Sequence, residues 1–384
     1  MAKCWPCAVA LLVVVLLLLV SSPEQATAWS SYAAAAARRY GSIFSFGDSY
    51  ADTGNGPIVF EWYSLPKPPV TRPPYGSTFF RRPTGRNSDG RLAIDFVAES
   101  LGLPLVPPSL VRHGGRPRRG ANFAVGGATG LDAAFFHHGE PPAAGSTFPL
   151  NTSLGVQLQW FDSLKPSLCA TTQECDVLFG GSLFFVGAFG VNDYILSLAA
   201  NKSLHQVRSL VPDVIATISM AVERLIKHGA TSLVLPGVPP VGCAPPVLVM
   251  FADLDPAGQD PRTGCLRAIN ELATHHNALL QEAVHDLKAK HSGINIVYAD
   301  FFSPVMEIVE SPAKLGFDED VLTLCCGGPG RYNYNRTVFC GDPGAITCKD
   351  PSARLFWDGV HLTEAAYRHV AGGWLASINS PVTP

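Results

Sequence analysis

Ser182 to Phe189, SLFFVGAF, carries no charge and no break, so as a strand it must be buried on both faces. Strands of that kind lie inside parallel sheets with helices packed on each side. Four further segments fit the same sheet. The apolar run Ser42 to Phe46 stops abruptly at Gly47-Asp48-Ser49, and Gly120 to Val125 runs into Gly126-Gly127. Ser232 to Leu235 and Ile294 to Tyr298 supply two more strands. Between them, apolar residues recur at helical spacing: Leu92 to Leu101, Leu154 to Leu164, Val211 to Ile226 and Leu266 to Lys290. Gly102, Gly229 and Gly293 close three of these helices. The alternation predicts an α/β fold with a doubly wound, five-stranded parallel sheet and helices on both faces.

In such sheets ligands bind beyond the carboxyl ends of the strands, and the chemically capable residues collect there. Ser49 follows the first strand. A serine hydroxyl is a weak nucleophile at neutral pH, so it needs a base, an acid that orients the base, and oxyanion donors. Gly127 offers a backbone N–H at the end of a second strand, and Asn192, in Gly190-Val191-Asn192-Asp193, offers a side-chain amide at the end of a third. Alone, each of these is an ordinary turn or cap. Together they occupy equivalent places in one sheet. The base comes late in the chain, in Trp357-Asp358-Gly359-Val360-His361, just before a helix that starts near Thr363. Asp358 can take the Nδ1 proton of His361, which leaves Nε2 to accept the proton of Ser49.

This arrangement excludes an α/β-hydrolase, whose nucleophile sits in Gly-x-Ser-x-Gly well into the chain; here Ser49 is early and lies in Gly-Asp-Ser-Tyr-Ala. His113-Gly114-Gly115 follows the nucleophile and reads as loop. Pro57 to Pro83, rich in proline, arginine and aromatic residues without helical period, is predicted to be a long loop over the site or a packed surface loop. Within it, Trp62 and Tyr75 are candidates to stack on a substrate ring. His137 to Phe148 reads as another loop. His275, His276, His285 and His291 are expected to be solvated, since no carboxylate or cysteine stands at metal spacing from them. The chemistry calls for no metal and no cofactor.

A net charge of -3 and a pI near 6.4 give no basic field, so nucleic acid is not an expected partner. Met1 to Lys3, the apolar stretch Ala8 to Val20 and Ala26-Thr27-Ala28 have the form of a cleaved signal peptide, residues 1–28, ahead of a single domain at 29–384. The apolar stretch rises only about 20 Å as a helix against a hydrocarbon core of about 30 Å, so no stable membrane insertion is expected. Of ten cysteines, Cys4 and Cys7 leave with the signal. Cys169 with Cys175, and Cys243 with Cys265, would each close a local loop; Cys325, Cys326, Cys340 and Cys348 allow three pairings that stay open. Sequons at Asn151, Asn201 and Asn335 are expected to be glycosylated. These features point to the secretory pathway, ending outside the cell or in the Golgi lumen. Oligomeric state is left open.

The blocks FGDSYADTGN, NFAVGGAT, GVND and WDGVHLTEAAY, in this order, resemble the plant GDSL-type esterase/lipase branch of the SGNH hydrolases, with similarity from about Ser42 to Trp374. The resemblance implies a three-layer α/β/α sandwich with flavodoxin-like strand order. It also implies Ser49 as nucleophile, His361 as base, Asp358 as its orienter, and Ser49, Gly127 and Asn192 as oxyanion donors. Asn87 stands where many relatives carry cysteine, so their disulfide pairing does not transfer. The branch is similar to esterases acting on sinapoyl choline, acetylated alkaloids and acetylated xylan. From it we expect an ester hydrolase that removes small acyl groups, first O-acetyl from a wall polysaccharide such as xylan, then phenolic or choline esters, then lipids. An acyltransferase or a carbohydrate-binding glycoprotein on the same fold is the alternative.

Overall fold

A computed structural model of the chain describes residues 39–111, 119–137, 148–254 and 257–380. The predicted leader, His113-Gly114-Gly115 and most of the segment from His137 to Phe148 lie outside the described residues. Five strands form one all-parallel sheet: β1 (Ser42–Phe46), β2 (Gly120–Asn122), β3 (Ser182–Val186), β4 (Ser232–Pro236) and β5 (Asn295–Ala299). Their order is β2-β1-β3-β4-β5, the doubly wound arrangement predicted from the pattern. The chain steps from β1 one way to β2 and then the other way to β3. That reversal makes the gap between β1 and β3 the switch point, where a doubly wound sheet opens a crevice. Phe46 pairs in register with Val186, so both strands end at the same level.

Helices α1 (Gly56–Trp62), α2 (Ala93–Ser100), α3 (Leu154–Leu168), α4 (Thr172–Gly180), α5 (Val191–Ala199), α6 (Val211–Lys227), α7 (Arg267–Lys290), α8 (Phe302–Glu310) and α9 (Glu364–Asn379) complete the layers. One layer holds α3, α6 and α7; the other holds α2, α8 and α9. Successive strand residues point to opposite layers. Phe44 and Phe184 stack at 5.2 Å and meet Phe161 of α3 and Phe179 of α4, whereas Phe185, the next residue, faces Trp374 of α9. Phe161 touches five aromatic rings of this core, and truncating it to alanine would cost about 3–5 kcal/mol.

Two expectations are corrected. The Pro57 to Pro83 segment is not all loop, because α1 lies within it. Pro57 stands in the first turn, where a missing N–H breaks no helical bond, so a proline that looks like a breaker is a starter. His276 is not solvated. It lies on the inner face of α7, fully buried, with Nδ1 2.7 Å from the Tyr194 hydroxyl.

Disulfides join Cys169 to Cys175 and Cys243 to Cys265, as their spacing suggested, and Cys325 to Cys348 and Cys326 to Cys340. Asn151 and Asn201 are exposed; Asn335 is half-buried and donates through Nδ2 to Pro329 O at 3.0 Å. No helix among the described residues is long and apolar enough to cross a membrane.

Candidate active site

The first strand can end as it does only because residue 47 is glycine. A Cβ there would lie 2.4 Å from Gly187 O. Gln157 of α3 brackets the same residue, accepting from Gly47 N at 3.0 Å and donating to Gly47 O at 2.8 Å. The chain then turns, with Asp48 O accepting from the N–H groups of Ala51 and Asp52. Ser49 sits on this turn, 7% exposed, facing a cavity of about 390 Å³. The Asp48 carboxylate points inward and accepts from Tyr50 N at 3.0 Å; burial raises its pKa to about 7.

Asp52 has no counterpart in the expected chemistry, yet it organises both loops around Ser49. Its Oδ1 accepts from Gly54 N and Asn55 N, and its Oδ2 from Gly56 N and Gly126 N, all within 2.7–2.9 Å. Burial still raises its pKa, against the lowering effect of those four donors. The sequence signal was available: an aspartate two residues before glycine favours a turn in which its side chain bonds the backbone ahead of it.

Gly127 follows directly, with φ at +82° and a virtual Cβ only 2.6 Å from Phe148 Cε1. Its loop is fixed from the far side by Asp193, whose carboxylate accepts from Gly130 N and Leu131 N at 2.9 Å each. Burial raises the pKa of Asp193 to about 6. The neighbouring Asn192, in the first turn of α5, donates from Nδ2 to Ala128 O at 2.9 Å and, more weakly, to Asp48 Oδ2 at 3.4 Å.

Asp358 and His361 occupy the two ends of a tight turn in which His361 N donates to Asp358 O at 2.8 Å and Gly359 has φ of +44°. This is a β-turn ahead of α9, closed by a bond from Trp357 N to His361 O at 2.8 Å. His361 Nδ1 lies 2.5 Å from Asp358 Oδ1. Tyr50 supports the turn from the Ser49 side, donating its hydroxyl to Val360 O at 3.1 Å, with its ring edge-on to His361 at 5.9 Å. Behind it, Glu364 at the start of α9 is held by Arg91 N and the Arg91 guanidinium, each at 2.8 Å, while Glu364 N donates to Asp89 Oδ1 at 2.7 Å.

Ser49, Gly127, Asn192, Asp358 and His361 all border the same cavity, although they come from four separate loops. Its other walls include Phe60, Val70, Phe148 and Leu196. The Pro57 to Pro83 segment therefore does reach the site, through Phe60 of α1, Pro68 to Val70 and Tyr75. The aromatic roles differ from expectation. Tyr75 is 2% exposed and spends its hydroxyl on Asp358 Oδ2, so it is not a free stacking ring. Trp62 is exposed against Trp160, at 6.1 Å, and does not border the cavity.

The family described as GDSL-like lipase/acylhydrolase matches residues 43–374 of this chain. A GDSL esterase/lipase of Arabidopsis thaliana is 45% identical over 343 residues, which cover 88% of this chain and 91% of the relative. A second from the same plant is 40% identical over 338 residues, covering 88% and 82%. The sinapine esterase of Brassica napus is 42% identical over 341 residues, covering 88% and 86%. With a five-stranded parallel sheet between two helical layers, the chain belongs to the GDSL lipase/acylhydrolase family and is a serine carboxylic ester hydrolase.

Proposed function

We propose that Ser49 is the nucleophile of this ester hydrolase, His361 its base and Asp358 the acid that orients the ring. The backbone N–H groups of Ser49 and Gly127 and the amide of Asn192 serve as oxyanion donors. The observation that carries this reading is the convergence of all five residues on one cavity, with His361 Nδ1 already bonded to Asp358. His361 Nε2 takes the hydroxyl proton as Ser49 Oγ attacks the ester carbonyl. The alcohol leaves with that proton, and water, activated by the same ring, releases the acid from the acyl-serine. Of the two Asn192 N–H groups, the one held at 3.4 Å by Asp48 is the one an oxyanion can take over.

For the substrate we take O-acetyl groups on a wall polysaccharide such as xylan as the first reading. A second reading, phenolic or choline esters, is favoured by the apolar walls at Phe60, Val70 and Phe148 and by similarity to a sinapine esterase. We place the protein in the secretory pathway as a single domain behind a cleaved signal peptide, glycosylated at Asn151, Asn201 and Asn335. Four disulfides support that compartment.

Acetate release from acetylated xylan by the purified protein, with Ser49→Ala as control, tests this. Release that vanishes in the variant supports the nucleophile and the first substrate. Cleavage of an aryl acetate without release from xylan moves the substrate to the phenolic class. Activity on neither, in a folded protein, moves the search to lipid esters and revives the reading as a binding glycoprotein.

A further inference from the structure

Asp358 has two carboxylate oxygens, and the hydrolytic roles proposed above use only one. Oδ1 meets His361, while Oδ2 accepts the phenol of Tyr75, far away in the chain. Tyr75 is not a mobile rim residue. It is buried edge-on against Trp357, with ring centroids 5.8 Å apart, in a small separate core with Val70, Cys325, Cys326 and Cys340. The backbone ahead of Asp358 is tied to the same core, since Cys325 N donates to Phe356 O at 2.9 Å and Cys326 N to Trp357 O at 2.8 Å. Donor and acceptor therefore stand on one rigid wall. Burial and the Asp358 charge hold the phenol of Tyr75 in its protonated, donating form.

We infer that Tyr75 is a positioning residue for ester hydrolysis: its hydroxyl fixes the plane of the Asp358 carboxylate so that Oδ1 stays on His361 Nδ1. The inference rests on the roles proposed for Asp358 and His361. A carboxylate with one free oxygen can rotate away from the ring. One that shares its charge with a phenol is also a weaker partner for the imidazolium, so Tyr75 sets both the aim and the basicity of His361. The other ionisable groups that act on this pair are Asp48 and Tyr50 from the nucleophile loop and Tyr367 from α9, with Arg72 and Asp342 acting on Tyr75 from behind. None of them changes in the test.

The test is the pH profile of aryl acetate hydrolysis by wild type, Tyr75→Phe and Asp358→Asn, with folding checked by thermal unfolding. Tyr75→Phe is expected to lower kcat by roughly tenfold or more with KM nearly constant, and to move the acid limb of kcat/KM to higher pH. In the Asp358→Asn background the same change should have little further effect. Should Tyr75→Phe fail to fold, 3-fluorotyrosine at position 75, a stronger donor, is expected to move the acid limb to lower pH. Full rate with an unmoved acid limb in Tyr75→Phe, or an unmoved limb with fluorotyrosine, overturns the inference while leaving Asp358 in place. Full rate in Asp358→Asn overturns both.

Discussion

Asp52 accepts the N–H of Gly126 at 2.9 Å, so the loop that carries Ser49 and the loop that carries Gly127 are fastened by one buried carboxylate. Replacing it with alanine strands four buried donors, each costing about 1–3 kcal/mol when unpaired. Asp52→Ala should lower unfolding stability by about 3 kcal/mol or more, and Asp52→Asn, which keeps one acceptor oxygen, by less. Urea unfolding of the two variants checks the order; equal stability to wild type would show that water replaces the carboxylate.

Asn192→Ala removes an amide at the border of the cavity and leaves in place Asp193, the residue that holds the neighbouring loop. Turnover should fall by roughly 10²- to 10³-fold with KM little changed. Steady-state kinetics on an aryl acetate decide it, and a variant at full rate takes Asn192 out of the mechanism.

Gly127→Ala places a methyl group against the Phe148 ring and imposes a side chain on a backbone at φ +82°. Strain of order 1–3 kcal/mol is expected, with kcat reduced about tenfold as the N–H loses its aim. The double variant with Phe148→Leu separates the causes. Recovery of rate there would assign the defect to the ring contact, and persistence would assign it to the backbone.

His276 sets an acid limit on the fold. Burial lowers its pKa to about 3 from 6.5, so as pH falls from 6.5 towards 3 the unfolded chain alone takes up the proton and stability is lost. Asp193 has the opposite sign. Its pKa is raised from 3.8 to about 6, so its contribution is full below 3.8 and is lost as pH rises through 6. His276→Gln should therefore be less stable than wild type at pH 7, having lost packing beside Tyr194 and Gly190, with the gap narrowing at pH 4. Chemical denaturation at the two pH values measures this; a constant gap would exclude His276 as the titrating group.

The sheet was legible because β1 and β3 are buried on both faces and so read as unbroken apolar runs. Ser49, Gly127 and Asn192 were legible because a parallel sheet collects chemistry at the carboxyl ends of its strands, and Asp358 and His361 because they stand three residues apart ahead of a helix. Their supports were less so. Asp52 shows in the sequence as the start of an Asp-x-Gly turn, but its bond from Gly126 N, like those of Asp193 from Gly130 N and Leu131 N, comes from distant backbone, which leaves no mark on residue type. Tyr75 read as a ring free to stack on a substrate because its partner, Asp358, is brought near only by the fold. α1 was hidden by a proline that happens to stand in a first turn, and His276 by a polar side chain on an inward face. The pairing of the last four cysteines could not be read at all, since adjacent Cys325 and Cys326 diverge to partners that precede and follow the short strand Ile346–Thr347, which pairs with Cys326–Gly327.

Those crosslinks bear unequally on the two sides of the cavity. The peptide groups of Cys325 and Cys326 hold Phe356 and Trp357, just ahead of Asp358 and His361, and each cysteine is locked in turn to Cys348 or Cys340. The Ser49 side of the cavity, built from β1 and β2, contains no sulfur crosslink among the described residues. The His361 side does. Reduction of those two bonds would loosen the wall behind Asp358 while leaving the turn its hydrogen bonds to Tyr50 and between Trp357 and His361. The two crosslinks thus bear on the His361 side of the cavity and not on the Ser49 side.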